Sequence, residues 1–232
     1  MKKIQLFCIP YAGGKADMFD SLRDCLRDDI RLVSVEYSGH GTRAKSEFYQ
    51  SFDEMTDDVA SIINGQLDEN AEIALFGYSM GSVVAFELLR RKLLIKTPIH
   101  IFIASHEAPG EHWESMEYCK LGDREFADML MSFGGFEKID DRMLTNRFFR
   151  NMIFNPIRAD YNLIGSYTLK DESTVDIPVT MLYSHKDVPT ESALKWQNRF
   201  SHKAEFIMMG DNHFFIRELY PQVAEIINER LK

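Results

Sequence analysis

Cysteine is scarce in this chain of 232 residues. There are three, Cys8, Cys25 and Cys119, an odd number at wide spacings. That excludes a disulfide framework and offers no zinc site, so reduced thiols and no bound metal are expected. No apolar stretch approaches the roughly 20 residues that span a bilayer. The opening segment, MKKIQLFCIPYAGG, is cut by Gln5 and Pro10 too soon to form a signal-peptide core, and reads better as a first strand. No membrane partner is expected, and the location expected is cytoplasmic. An excess of positive charge is missing as well. The formal net charge is −9, which argues against nucleic acid or an anionic membrane as partner, because each is recognised by a basic face. Repeats, low-complexity tracts and linkers are absent too. What is present is a hydrophobic fraction of 45%, enough for one sizeable core, and residues 1–232 read as a single domain.

Short apolar runs alternate with amphipathic segments. Ile4–Ile9, Arg31–Glu36, Ile73–Phe76, Ile99–Ala104, Val179–Tyr183 and Ala204–Met209 read as buried strands. Met18–Leu26, Phe52–Leu67, Ser79–Leu94, Ser192–Phe200 and Pro221–Leu231 carry apolar residues at helical spacing. The alternation predicts an α/β fold: a mostly parallel sheet flanked by helices. One stretch breaks the rhythm. Residues 111–170 hold no strand pattern, only helical pieces at Asp123–Met131, Asp140–Phe149 and Ala159–Tyr167. A crossover of that length reads as a helical lid insertion over one end of the sheet.

Gly77-Tyr78-Ser79-Met80-Gly81 fits G-x-S-x-G. The pattern alone is weak, but a strand runs into it and a helix runs out of it. That is the setting of a nucleophile elbow, where a sharp turn leaves no room for flanking side chains. The bland alternative is a glycine-rich turn with a helix-capping serine. A serine needs a base, and in an α/β-hydrolase fold the partners follow in the order serine, acid, histidine. Seven histidines compete: His40, His100, His106, His112, His185, His202 and His213. His213 follows the last strand and is the expected base. Asp187, just past Val179–Tyr183, is the expected acid, against a capping role; Glu107, after Ile99–Ala104, is the alternative. The oxyanion hole requires two backbone amides. Met80, after the nucleophile, supplies one. The glycine-rich loop Pro10-Tyr11-Ala12-Gly13-Gly14 supplies the other, at Ala12 or its neighbour Tyr11.

These segments together resemble the type II, or editing, thioesterases of non-ribosomal peptide and polyketide synthases. Phe7-Cys8-Ile9-Pro10-Tyr11-Ala12-Gly13-Gly14 resembles the family's F-x-x-P-Y/H-A-G-G opening. Phe76-Gly77-Tyr78-Ser79-Met80-Gly81 with Ala85-Phe86-Glu87 is similar to F-G-H-S-M-G and A-F-E. Ser105-His106-Glu107-Ala108-Pro109 resembles the segment leading into the lid, Arg158-Ala159-Asp160-Tyr161 resembles R-A-D-F/Y, and His213-Phe214-Phe215 resembles H-F-F. The chain departs from the pattern at Tyr78, where histidine is usual, and at Ser38-Gly39-His40-Gly41-Thr42-Arg43, where the family carries P-G-R-G-x-R. The resemblance implies hydrolysis of acyl groups from the phosphopantetheine arm of acyl or peptidyl carrier-protein domains, with no cofactor and a monomeric enzyme. Two other functions stay open on the same fold: a general acyl-CoA thioesterase or carboxylesterase, and a catalytically silent binding protein. The lid region is rich in methionine and phenylalanine (Met116, Met129, Met131, Met143, Met152, Phe126, Phe133, Phe136, Phe148 and Phe149). Methionine suits a site that accepts varied acyl shapes, but most of these residues are expected simply to pack the lid onto the sheet.

Overall fold

The computed structural model describes residues 3–110, 113, 115–118 and 120–232. His112, Cys119 and the side chain of Met116 therefore lie outside what is described here. Six strands, β1 (Ile4–Ile9), β2 (Ile30–Ser34), β3 (Glu72–Tyr78), β4 (Ile101–Ala104), β5 (Val179–Tyr183) and β6 (Glu205–Met208), form one sheet in the order β2-β1-β3-β4-β5-β6. Every neighbouring pair is parallel. The α/β-hydrolase fold class expected from the sequence is the one observed.

Alternation along the strands divides the core in two. Phe7, Ile9, Ile73 and Leu75 point to one face, against α2 (Phe52–Asn64), α3 (Met80–Arg90) and Trp196. Leu6, Cys8, Phe76 and Tyr78 point to the other, against Leu22 and against Val223 and Ile227. Leu22 belongs to α1 (Asp20–Arg23) and the latter two to the C-terminal helix Tyr220–Arg230. Both faces are covered, so the strands read as continuous apolar runs rather than alternating ones. Each fully buried large side chain stabilises by about 1.5–3 kcal/mol. Cys8 and Cys25 are free thiols.

Between β4 and β5 the chain forms α4 (Ser115–Tyr118), α5 (Asp123–Ser132), α6 (Asp141–Thr145), α7 (Arg147–Phe149), a π-helical turn at Arg150–Phe154 and α8 (Asn155–Ser166). Phe126, Leu130, Ile139, Leu144, Phe154 and Ile157 give these elements a core of their own. Three details differ from the sequence reading. The helix expected over Asp140–Phe149 is broken at Asn146, whose extended backbone ends α6 and whose side chain caps Phe149 in α7. The piece expected at Ala159–Tyr167 begins earlier, because Asn155-Pro156 opens α8: a proline in the first helical turn removes an amide that has no intrahelical partner anyway. The segment after β5 is the short helix α9 (Thr190–Leu194) followed by a 3-10 turn, and α10 (Tyr220–Arg230) closes the chain. Among the described residues no helix is long and apolar enough to cross a membrane.

Candidate active site

The strand order reverses between β1 and β3, and in open α/β sheets the crevice beyond the strand ends at such a switch point is where ligands sit. Both glycine-bearing loops of the sequence reach that point. β3 ends at Tyr78 and α3 begins at Met80, which leaves Ser79 alone to turn the chain, at φ 53° and ψ −121°. A positive φ at a residue with a side chain costs about 1–3 kcal/mol and needs a surrounding that enforces it. Ser79 N–H donates to the Ala104 carbonyl at 2.7 Å, and Ser82 N–H donates to the Ser79 carbonyl at 2.8 Å. The two glycines are required by contact. A Cβ on Gly77 would lie 2.3 Å from the Gly81 carbonyl oxygen, and one on Gly81 would lie 2.2 Å from that of Ile9. Ser79 thus stands at the N-terminus of α3, where the helix dipole favours developing negative charge.

His213 lies in the loop after β6. Its Nδ1 is 2.8 Å from Oδ1 of Asp187, in the loop after β5. The loops are tied a second time by Lys186 Nζ, 3.3 Å from Asp211 Oδ2. The histidine backbone is anchored from below: Tyr78 Oη donates to the His213 carbonyl at 2.7 Å, and Ser105 Oγ lies 3.2 Å from the same oxygen. Of the two carboxylates considered from the sequence, Asp187 is the one that meets the ring. Glu107 lines the adjoining cavity instead. His106 also lines that cavity, but burial pushes its pKa down to about 4, so it sits there as a neutral imidazole. His100 lies just before β4, at the opposite end of the sheet, and burial likewise lowers it to about 4.

Two cavities meet at Ser79. One, of about 220 Å³, runs along Tyr11, Leu130, Phe136, Met152 and Phe214, with Lys15 and Arg217 among its lining. The other, of about 380 Å³, runs along Met80, Glu107, Trp113, Ile164 and Val188. Ala12, Ser79, Phe133, Tyr161 and His213 line both. Burial and the nearby Asp187 charge push the Tyr161 phenol upward, so its hydroxyl is neutral at this junction. Of the methionines and phenylalanines between β4 and β5, Phe133, Phe136 and Met152 face a cavity. Phe126, Met129 and Phe149 pack inward, and Phe148 is exposed.

Met80 is the first residue of α3, where backbone amides lack an intrahelical acceptor. Ala12 and Met80 both line the second cavity. The loop holding Ala12 is shaped by a bond from Gly14 N–H to the Tyr11 carbonyl (2.8 Å) and one from Tyr37 Oη to the Pro10 carbonyl (2.9 Å). The sequence reading overlooked what completes it. Asp160 of α8 accepts the Gly13 N–H at 2.7 Å, and His40 Nε2 lies 3.0 Å from the same carboxylate oxygen. It also assigned nothing to Tyr78. An aspartate inside an otherwise apolar helical face was the available signal.

A strained serine between a parallel strand and a helix, with a histidine–aspartate contact between the loops after β5 and β6, is the arrangement of an α/β-hydrolase-type site. The chain belongs to the thioesterase domain family, whose model matches residues 4–231. It is similar to the gramicidin S biosynthesis protein GrsT of Aneurinibacillus migulanus, at 27% identity over 99% of this chain and 90% of that protein. It is also similar to the human medium-chain S-acyl fatty acid synthase thioesterase, at 23% identity over 91% of this chain and 80% of that one. Among solved structures, ClbQ from the colibactin NRPS/PKS pathway superposes with a TM-score of 0.87 at 25% identity, over 99% of this chain and 97% of that one.

Proposed function

We propose that this thioesterase is a type II, editing enzyme that releases acyl groups from the phosphopantetheine arm of acyl or peptidyl carrier-protein domains. The observation that carries the reading is the His213–Asp187 contact of 2.8 Å, with His213 and a strained Ser79 lining the same two cavities. An acyl thioester has two long arms on one carbonyl, and a site with two arms accommodates it. Relatives named for antibiotic and colibactin biosynthesis support the same substrate class.

In this reading Ser79 Oγ attacks the thioester carbonyl while His213 takes its proton. The oxyanion lies between the Ala12 and Met80 amides. The carbon–sulfur bond breaks and the thiol leaves with the proton held by His213. Water, deprotonated by His213, then attacks the acyl-enzyme, and the free acid departs. Asp187 holds the imidazole tautomer and stabilises the imidazolium. Residues 1–232 act as one domain, in which the helices between β4 and β5 are a lid whose Phe133, Phe136 and Met152 touch the acyl or pantetheine chain. The enzyme acts as a monomer in the cytoplasm and needs no metal or cofactor.

The test is a comparison of kcat/KM for one acyl group presented on a carrier protein, on coenzyme A and as a p-nitrophenyl ester. A clear advantage for the carrier is expected. Equal values would replace the editing role with that of a general acyl-CoA thioesterase or esterase. The human fatty acid synthase relative is the observation that favours this second reading. Labelling by a fluorophosphonate is expected at Ser79; its absence would sink both enzyme readings.

A further inference from the structure

The most deeply buried ion pair among the described residues has no task in the mechanism. His40 and Asp160 have side chains only 1% and 2% exposed. His40 Nδ1 is 2.9 Å from the Ser38 carbonyl, an oxygen that can only accept, so Nδ1 carries a proton. The other ring nitrogen lies 3.0 Å from Asp160 Oδ2, an ion-pair separation off the line of a hydrogen bond. That oxygen already accepts the Gly13 N–H at 2.7 Å. Were Nε2 bare, the buried nitrogen would have only an oxygen acceptor within reach and no charge to set against it. A second ring proton removes the conflict and makes the pair an imidazolium and a carboxylate.

The surroundings agree. Burial alone would depress the pKa of His40, but contact with Asp160, the Ser38 carbonyl and the Glu36 carboxylate together raise it. Tyr37 and Phe48 meet the ring edge-on with centroids 5.8 and 6.2 Å away. The nearby cation Arg43 is engaged by Asp58 and Tyr49, and Arg158 of α8 turns away to the Leu121 carbonyl and Asp123. Asp160 is the anion that meets His40 directly.

We infer that His40 and Asp160 are positioning residues of the hydrolytic reaction: the protonated pair pins α8 to the Gly13 amide and so holds the neighbouring Ala12 amide toward the oxyanion. This rests on the hydrolytic reading of Ser79. The contact leaves no slack, because a Cβ on Gly13 (φ +77°) would lie 2.2 Å from Ile157 Cγ1 of the same helix. Where the family pattern has arginine, a cation at every working pH, this chain has a group that can lose its charge.

The experiment has two parts. In the wild-type chain, ¹⁵N-histidine NMR follows the His40 ring, assigned by its loss in His40→Arg. A doubly protonated ring that titrates above the ordinary histidine value of about 6.5 is expected. In parallel, hydrolysis of p-nitrophenyl acetate and fluorophosphonate labelling of Ser79 are followed against pH for wild type, His40→Arg and His40→Gln. Wild type is expected to lose roughly tenfold or more in kcat, with KM little changed, as pH passes through the His40 midpoint. An oxyanion donor is worth about 10²–10³. His40→Arg keeps its rate across that range, and His40→Gln is slow at every pH. An alkaline limb shared by wild type and His40→Arg overturns the inference, as does a His40 ring that is neutral below its ordinary value. If one variant fails to fold, the other assigns the His40 ring by its loss and the wild-type titration decides. No labelling of Ser79 in wild type would instead refute the hydrolase reading itself.

Discussion

Tyr78 is the residue whose removal best measures how the base is held. It precedes Ser79 on β3 and is fully buried. Its hydroxyl donates to the His213 carbonyl at 2.7 Å and lies 3.4 Å from Ser105 Oγ and 3.5 Å from the Ile216 amide. Replacement by phenylalanine keeps the ring and its packing and deletes the oxygen. The His213 carbonyl would retain Ser105 Oγ at 3.2 Å, but the buried Ile216 N–H would lose its acceptor. The expected cost is therefore about 1–3 kcal/mol, the range for leaving one buried donor unsatisfied. For a chain of this length each kcal/mol corresponds to a fall in Tm of about 2–4 °C. The catalytic effect is expected in kcat, by a few-fold up to about tenfold, with KM little changed, because the base loses precision while the cavities keep their walls. Differential scanning calorimetry and ester hydrolysis measure the two quantities. If Tyr78→Phe cost 10²-fold or more in kcat with no change in Tm, the hydroxyl would be acting on the reacting groups, and the anchoring argument would be wrong.

Asp187→Asn is expected to lower kcat about 10⁴-fold by allowing the wrong imidazole tautomer, whereas Glu107→Ala stays within a few-fold; steady-state kinetics showing the reverse would transfer the acid's role to Glu107. Gly81→Ala places a methyl 2.2 Å from the Ile9 carbonyl oxygen and 2.7 Å from that of Pro10. Both are backbone atoms, so a loss of about 1–3 kcal/mol or more is expected, read as a lower Tm and a lower yield of folded protein. Because the His40 pKa is raised on folding, its contribution to stability is full below the unfolded value of about 6.5 and is lost as pH climbs through the folded value. Melting curves should therefore show wild type losing Tm over that rise relative to His40→Arg; parallel curves would contradict the linkage.

The parts of this molecule legible in sequence are those encoded by neighbours along the chain. Two strands, Ile4–Ile9 and Val179–Tyr183, have the expected ends, because apolar runs buried on both sheet faces stop where the burial stops. Ser79 was legible for the same local reason: the two glycines beside it answer steric demands made within five residues and by one adjacent strand. The His213–Asp187 contact joins residues 26 apart, yet chain order at successive strand ends suffices to pair them. Helix ends were less legible where a single side chain acts twice, as Asn146 does in closing α6 and capping α7.

His40 and Asp160 belong to another kind. They are 120 positions apart in number, on a loop after β2 and on α8, and they meet only because α8 returns over the β1 loop. Periodicity marks Asp160 alone, as the aspartate on the apolar face of α8, and nothing along the chain marks His40 as its partner. What distinguishes them is physical: two ionisable groups withdrawn from water cost several kcal/mol unless each charge is met. Here the carboxylate is met by an amide and an imidazole, and the imidazole by a carbonyl and the carboxylate. A well-packed apolar pair would suit stability at least as well, so the retained charges point to what they hold. That is the loop carrying Ala12, fixed by α8 from one side and by Tyr37 from the other. The strained serine is built by residues next to it, whereas the loop carrying Ala12 is held by two side chains distant in the chain.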